Sequence, residues 1–297
     1  MLSYRHAYHA GNHADILKHI TLSLILGHLD AKEKPYTVFD THAGAGEYDL
    51  SGERAVKTGE AERGIMKLVS RSDVPREAEP YMSFVKDCLA RGMYPGSPEI
   101  ERRFMRRDDV LVLCELHNEE AEILRSTMKI FSGNCTPQIH HRDGFEAVAA
   151  LTPPKIKRGL VLTDPSYEDA DEYVKAADTF CAVHEKWSAG ILALWYPLLA
   201  HRKIECGIMK QKITASVRTS AEPCEILDAQ LLVNTEDSHE ETSLENASGS
   251  SSPRLYGSGM LIVNMPWKLD EELRAVLPYL ADRLGTDGKG SSSVTVC

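Results

Sequence analysis

Five short apolar runs dominate what this chain can fold into. They span Tyr36 to Asp40, Val110 to Glu115, Thr136 to His140, Leu160 to Asp164 and Ile191 to Tyr196. Each has the length and composition of a buried strand. Helix-period sequence lies between several of them, notably Glu119 to Phe131 and Ala170 to His184. Strands alternating with helices predict a layered α/β fold around a largely parallel sheet. Glu225 to Val233 and Gly259 to Asn264 add two further strands and bring the expected sheet to seven. Before the first strand, Asn12 followed by Asp15 resembles a helix cap with an acid three residues on. Ile16, Leu17, Ile20, Leu24 and Leu29 then give a helix-period apolar face.

Two stretches interrupt that pattern. The gap between the first two strands is too long for one crossover. It contains helical candidates near Ala61 to Ser70 and Pro80 to Ala90, and then Arg91 to Pro98 breaks periodicity. Residues 50–98 therefore read as a small inserted helical subdomain, with 1–49 and 99–284 forming the core. Residues 234–253 hold five acids, no Lys or Arg, and much Ser, Thr and Asn. They read as a disordered excursion at a hairpin tip, and residues 285–297 as a flexible tail.

Composition narrows the class. No run of about 18 apolar residues exists, so no membrane span or membrane partner is expected. The N-terminus lacks an apolar signal core. Seven cysteines lie scattered, without a CxxC pair, which suits a reduced cytoplasmic setting without a disulfide framework, and the chain is expected to be a monomer. Net charge is −10, which by itself disfavours nucleic acid as a partner. Half of that excess sits in residues 234–253. Residues 197–220 carry Arg202, Lys203, Lys210, Lys212 and Arg218 against Glu205 alone. Such a local basic face can hold phosphates on an acidic protein, although a solvated helix face has the same composition.

The chemistry-bearing motifs sit where the expected strands end. Asp164-Pro165-Ser166-Tyr167 closes the fourth strand. A carboxylate and a neighbouring carbonyl can accept hydrogen bonds from an exocyclic amine, and a tyrosine can stack on a flat base. Alone, the same four residues describe a β-turn with proline second. Asp40-Thr41-His42-Ala43-Gly44-Ala45-Gly46 follows the first strand, and its glycines let backbone approach a ligand. It lacks the spacing of a dinucleotide fingerprint or a P-loop. Glu115 ends the second strand, where a carboxylate can hold a ribose diol. Asp143-Gly144 follows the third, where Asp143 can meet an adenine amine. Neither His19 nor His42 belongs to a cluster with metal-ligand spacing, so no metal is expected. His42 instead lines the glycine turn.

On these residues the chain resembles the RlmJ family of bacterial 23S rRNA adenine-N6 methyltransferases. The resemblance begins at Met1-Leu2-Ser3-Tyr4-Arg5-His6 and runs on to Asp15. It continues through Lys18-His19, the glycine turn, Tyr94 to Pro98, Glu115-Leu116-His117, Asp143-Gly144-Phe145, Asp164 to Glu168, Ala193 to Pro197 and Gly259 to Leu269. It implies a Rossmann-like class I methyltransferase with S-adenosylmethionine as cofactor. It also implies one adenine N6 in 23S rRNA helix 72 as target, with protein-free or early-assembly RNA as partner. Carried onto matching positions, it implies a cofactor set of His19, His42, Ser97, Glu115, Asp143, Gly144 and Asp164, with Asp164 also catalytic. Tyr4 matches a substrate-positioning residue. Arg5, His6, Pro165, Tyr167, Lys210 and Lys212 complete the expected substrate surface. Two departures stand out. Ser166 replaces the second proline of the family's Asp-Pro-Pro-Tyr, and the acidic excursion exceeds the usual short connection. DNA adenine-N6 methylation and a non-catalytic RNA-binding or assembly role stay open as alternatives.

Overall fold

The computed structural model describes residues 6–52, 58–130, 135–236 and 255–297. The first helix, α1 (His13–Asp30), starts where Asn12 Oδ1 accepts the backbone N–H groups of Ala14 and Asp15. Strand β1 (Thr37–Asp40) follows, then β2 (Glu47–Asp49). The segment after it carries α2 (Glu60–Arg63), α3 (Met66–Val69) and α4 (Glu79–Leu89), and ends in β3 (Met93–Pro95). β3 pairs antiparallel with β2, so a two-stranded ribbon ties the two ends of this helical segment together.

α5 (Ser97–Phe104) leads into β4 (Val110–Cys114), α6 (Asn118–Ile130), β5 (Gln138–His140) and α7 (Gly144–Leu151). The second half contains β6 (Gly159–Thr163), α8 (Asp171–Lys186), β7 (Ile191–Leu198), α9 (Lys203–Thr219) and β8 (Ile226–Leu232). β9 (Gly257–Val263), α10 (Leu269–Leu284) and β10 (Ser291–Val296) complete it.

The main sheet has eight strands in the order β10-β8-β9-β7-β6-β1-β4-β5. The five from β7 to β5 are parallel, and β9, β8 and β10 join antiparallel. The expected seven strands are all present, and the eighth corrects the expectation of a flexible tail. Ser291 to Val296 pairs residue by residue with β8. Val294 and Val296 pack on the core while Ser291, Ser293 and Thr295 face solvent. A strand with only two apolar residues on its inner face leaves a weak sequence signal. Most of the acidic excursion, residues 237–253, lies outside the described residues.

Side chains alternate across the strands and divide the core into two layers. Val38, Leu160 and Leu162 face the layer that holds α1 and α10, whereas Phe39 and Val161 face the one that holds α8 and α9. α1 packs against α5, α10 and β9, so it is buried on nearly every side. Each fully buried Leu or Ile along it contributes roughly 1.5–3 kcal/mol. The same enclosure buries its polar residues Asp15, Lys18 and His19.

Candidate active site

Strand order reverses at β1, which pairs with β4 on one side and β6 on the other. A crevice opens beyond the carboxyl ends of such strands, and the polar residues gather there. Asp40, the last residue of β1, is fully buried. It accepts the Ser97 hydroxyl at 2.6 Å and the His42 backbone N–H at 3.1 Å. Burial outweighs these bonds and raises its pKa to about 6. Ser97 thus spends its proton on Asp40 and keeps its lone pairs. One helical turn on, Glu101 is fully buried with both carboxyl oxygens unpaired among the described residues. Burial, and then the Asp40 charge, push its pKa well above the carboxylate range, which keeps it neutral.

The glycine turn takes backbone shapes that other residues resist. Gly44 has φ 60°, and a side chain there would meet the Tyr48 hydroxyl 2.2 Å away. The Gly44 N–H donates to Glu115 Oε2 at 2.8 Å, and the His117 N–H donates to Glu115 Oε1 at 2.7 Å. Two backbone donors hold this carboxylate in a fixed orientation at the end of β4. Asp143 caps α7, with Oδ1 accepting the Phe145 and Glu146 N–H groups. Gly144 lies so close to β1 that an added Cβ would sit 1.9 Å from the Thr41 carbonyl. His42 stands between these parts, with Nδ1 2.7 Å from the Thr41 hydroxyl and its ring edge-on to Phe145. Burial lowers its pKa to about 4 and leaves it neutral.

Across the crevice, α1 sets Asp15, Lys18 and His19 on one face by their i, i+3, i+4 spacing. The Lys18 ammonium lies between Asp15 Oδ1, at 3.1 Å, and Asp164 Oδ2, in direct contact. Burial alone would lower the Lys18 pKa, but Asp164 and then Asp15 raise it above its ordinary value. Asp15 also accepts the Gly11 N–H and lies 2.9 Å from His6 Nε2. Burial would raise the Asp15 pKa, but the neighbouring His6 and the Lys18 ammonium carry it well below the usual range. His19 is fully buried, with Nδ1 3.2 Å from the Tyr94 hydroxyl. Its Nε2 makes no hydrogen bond among the described residues. Burial lowers its pKa to about 3.

Asp164 follows β6 directly, with a side chain 14% exposed. Tyr167, three residues on, sits at φ 52°. Its ring is buried 4.4 Å from the Tyr173 ring, and its hydroxyl donates to the Trp195 carbonyl at 3.0 Å. In this state the ring is a wall of the site rather than an open stacking face. The Ser166 hydroxyl donates to Glu172 Oε2 at 3.0 Å, so the residue at the departing position ties the loop to α8.

The structure thus brings together His6, His19, His42, Ser97, Glu115, Asp143, Gly144 and the Asp164–Tyr167 loop. Tyr4 and Arg5 lie outside the described residues. The two expected phosphate ligands diverge on α9. Lys210 reaches Asp228 at 2.8 Å, whereas Lys212 contacts Asp178 on α8. Each already has a carboxylate partner, so they do not form one phosphate-binding face here. Lys18 and Asp15 were absent from the expected set. Their helical spacing with His19 was the signal that could have found them.

The site fits S-adenosylmethionine on its own features. Glu115 is oriented as an acceptor for a diol, the glycine turn leaves room for close approach, and His19 carries an unpaired buried nitrogen. Among the described residues no group of three or more His, Cys, Asp or Glu could hold a metal ion. No helix among them is long and apolar enough to cross a membrane.

Comparison with known proteins agrees with this geometry. A family model described as ribosomal RNA large subunit methyltransferase D, RlmJ, matches residues 33–296. Ribosomal RNA large subunit methyltransferase J of Escherichia coli is 38% identical over 99% of this chain and 98% of its own length. The Haemophilus influenzae protein of the same description is 36% identical with the same coverage. The crystal structure of protein LPL1258 from Legionella pneumophila superposes with a TM-score of 0.81, at 31% identity, over 97% of this chain and 98% of that one. With a family match across most of its length and relatives this similar end to end, the chain belongs to the RlmJ family of ribosomal RNA large subunit methyltransferases.

Proposed function

We propose that this protein transfers the methyl group of S-adenosylmethionine to the N6 amine of an adenine in 23S rRNA, with helix 72 as the target region. The observation that carries this reading is Asp164. It stands at the end of β6, on the rim of the crevice that holds the glycine turn, and is held by a buried lysine. The relatives' description as large-subunit ribosomal RNA methyltransferases supports RNA over DNA. The substrate is protein-free or early-assembly RNA, and the protein works as a monomer in the cytoplasm.

The cofactor supplies a methyl group activated on a sulfonium. Glu115 would hold its ribose hydroxyls, Asp143 its adenine amine, and His19 and His42 would line its amino-acid end. Asp164 accepts a hydrogen bond from the target N6–H, and the Pro165 carbonyl accepts the other. These two acceptors aim the nitrogen lone pair and stabilise the positive charge that develops as the N–C bond forms. Lys18 is anchored by Asp15, so it can yield Asp164 to the amine without leaving the site. The proton released from nitrogen passes to Asp164, which reaches solvent. Tyr4 and Arg5 position the RNA, and Tyr167 bounds the base.

Purified protein, labelled S-adenosylmethionine and three substrates test this: naked 23S rRNA, a helix 72 hairpin and DNA of matched sequence. Label in N6-methyladenosine on both RNAs, with little on DNA, is expected. Equal or greater labelling of DNA would reverse the substrate assignment. Cofactor binding without any transfer would favour an RNA-binding protein that has lost catalysis.

A further inference from the structure

Asp164 and Trp195 each lie one residue past the last pair of the β6–β7 ladder. In the parallel pairing of β6 and β7, Leu162 lies opposite Ala193 and Thr163 opposite Leu194. Continued one step beyond the observed pairs, that register would bring Asp164 opposite Trp195, at about the 4.8 Å spacing of paired strands. Ala193 faces the layer that holds α1. By alternation Trp195 projects to the same side, where Lys18 meets Asp164. Its indole ring lies 6.0 Å from the Tyr167 ring.

The indole Nε1–H is buried and has no acceptor among the described residues. Ser258 is diagonal to Trp195, through the pairs Trp195 with Met260 and Pro197 with Ser258. Its hydroxyl is likewise buried and unpaired among the described residues. Folded proteins rarely leave such groups unsatisfied, and a binding site is one place where they do.

We propose that the Trp195 Nε1–H reads N1, the ring acceptor beside the target amine, and thereby selects adenine over guanine, whose N1 carries a proton. This rests on the reading of the chain as an adenine-N6 methyltransferase. Asp164 presents an acceptor and Trp195 a donor, one strand apart. Adenine presents the complement, an amine donor beside a ring acceptor. Guanine places a carbonyl oxygen where the amine should be, facing the Asp164 carboxylate with the wrong polarity. An indole can only donate, so it cannot turn to accommodate that pattern as a hydroxyl or amide can.

The test uses helix 72 hairpins carrying adenosine, 1-deazaadenosine or 7-deazaadenosine at the target, with wild type and Trp195→Phe. The wild type should lose roughly 3- to 10-fold in kcat/KM on the 1-deazaadenosine hairpin and keep full turnover on the 7-deazaadenosine hairpin. Trp195→Phe should lose a similar factor on adenosine and nothing more on the 1-deazaadenosine hairpin. Its S-adenosylmethionine affinity by calorimetry should stay at the wild-type value. Multiplying losses, or full turnover by Trp195→Phe, would overturn the inference. If Trp195→Phe fails to fold, the wild type still decides, because full turnover on the 1-deazaadenosine hairpin leaves the indole nothing to read. No methylation of the adenosine hairpin by wild type would instead end the parent reading, and this inference with it.

Discussion

Asp164 is engaged by a buried cation before any substrate arrives. Lys18 holds it from one side and Asp15 holds Lys18 from the other, all within a shell that solvent barely reaches. Removing the cation would leave two carboxylates facing each other with little compensation. Lys18→Met is therefore expected to cost about 3 kcal/mol in denaturant unfolding and to cripple methyl transfer. Wild-type stability and turnover in that variant would show that the contact is incidental. The sequence revealed Asp164 because its motif carries the chemistry in adjacent residues. It revealed the importance of Lys18 less well, because a lysine and an aspartate one turn apart on a helix usually mark a solvated face. Only the burial of α1 on nearly every side turns that pair into part of a site.

The Asp164–Tyr167 loop is short enough for a single side chain to matter. Ser166 gives up the rigidity of a second proline and donates to Glu172 instead. Restoring proline would reduce the freedom of the unfolded chain by about 0.4–1 kcal/mol and delete that hydrogen bond, worth about 0.5–1.5 kcal/mol. Ser166→Pro should therefore shift stability by less than about 1 kcal/mol in either direction, with N6-methyladenosine still the product by nucleoside analysis. A different methylated base would show that the loop does something else. β10 makes a larger contribution than its sequence suggests. Removing residues 289–297 would unpair the edge of β8 and uncover the residues beneath Val294 and Val296. A loss of roughly 1–3 kcal/mol in thermal unfolding is expected, with aggregation through the exposed edge. An unchanged melting temperature would mean that the strand is ornamental. The parallel strands and their helices were legible because apolar runs and helix periods are long. β10 was not, because a serine-rich edge strand looks like a linker until its partner is known.

For the molecule as a whole, burial sets the response to acid. His13, His19 and His42 have pKa values of about 4, about 3 and about 4, below the ordinary 6.5. The unfolded chain binds protons that the fold refuses, so stability falls as pH drops from about 6.5 towards 4. Asp40, raised to about 6 from 3.8, and Glu101, raised well above 4.5, act in the opposite sense over that window. Three histidines against two carboxyls leave about one net proton, or roughly 1 kcal/mol lost per pH unit between pH 6 and 4. Thermal unfolding across that range checks the sign, and rising stability towards pH 4 would contradict the burial of these rings. The acidic excursion belongs to this scale too. It supplies half of the net negative charge but offers little to bury. Replacing residues 236–252 with a short Gly/Ser turn is expected to leave S-adenosylmethionine affinity unchanged by calorimetry. A large affinity loss in a folded variant would tie the excursion to the site.

Asp164 is proposed to direct a methyl group onto an adenine amine. The most direct test of that role measures methyl transfer to the helix 72 hairpin and thermal unfolding side by side in wild type and Asp164→Ala. Turnover should fall by at least about 100-fold, the scale of losing an oriented electrostatic partner, while the variant stays folded with a cooperative transition. A folded Asp164→Ala protein that methylates the hairpin at close to the wild-type rate would contradict the account.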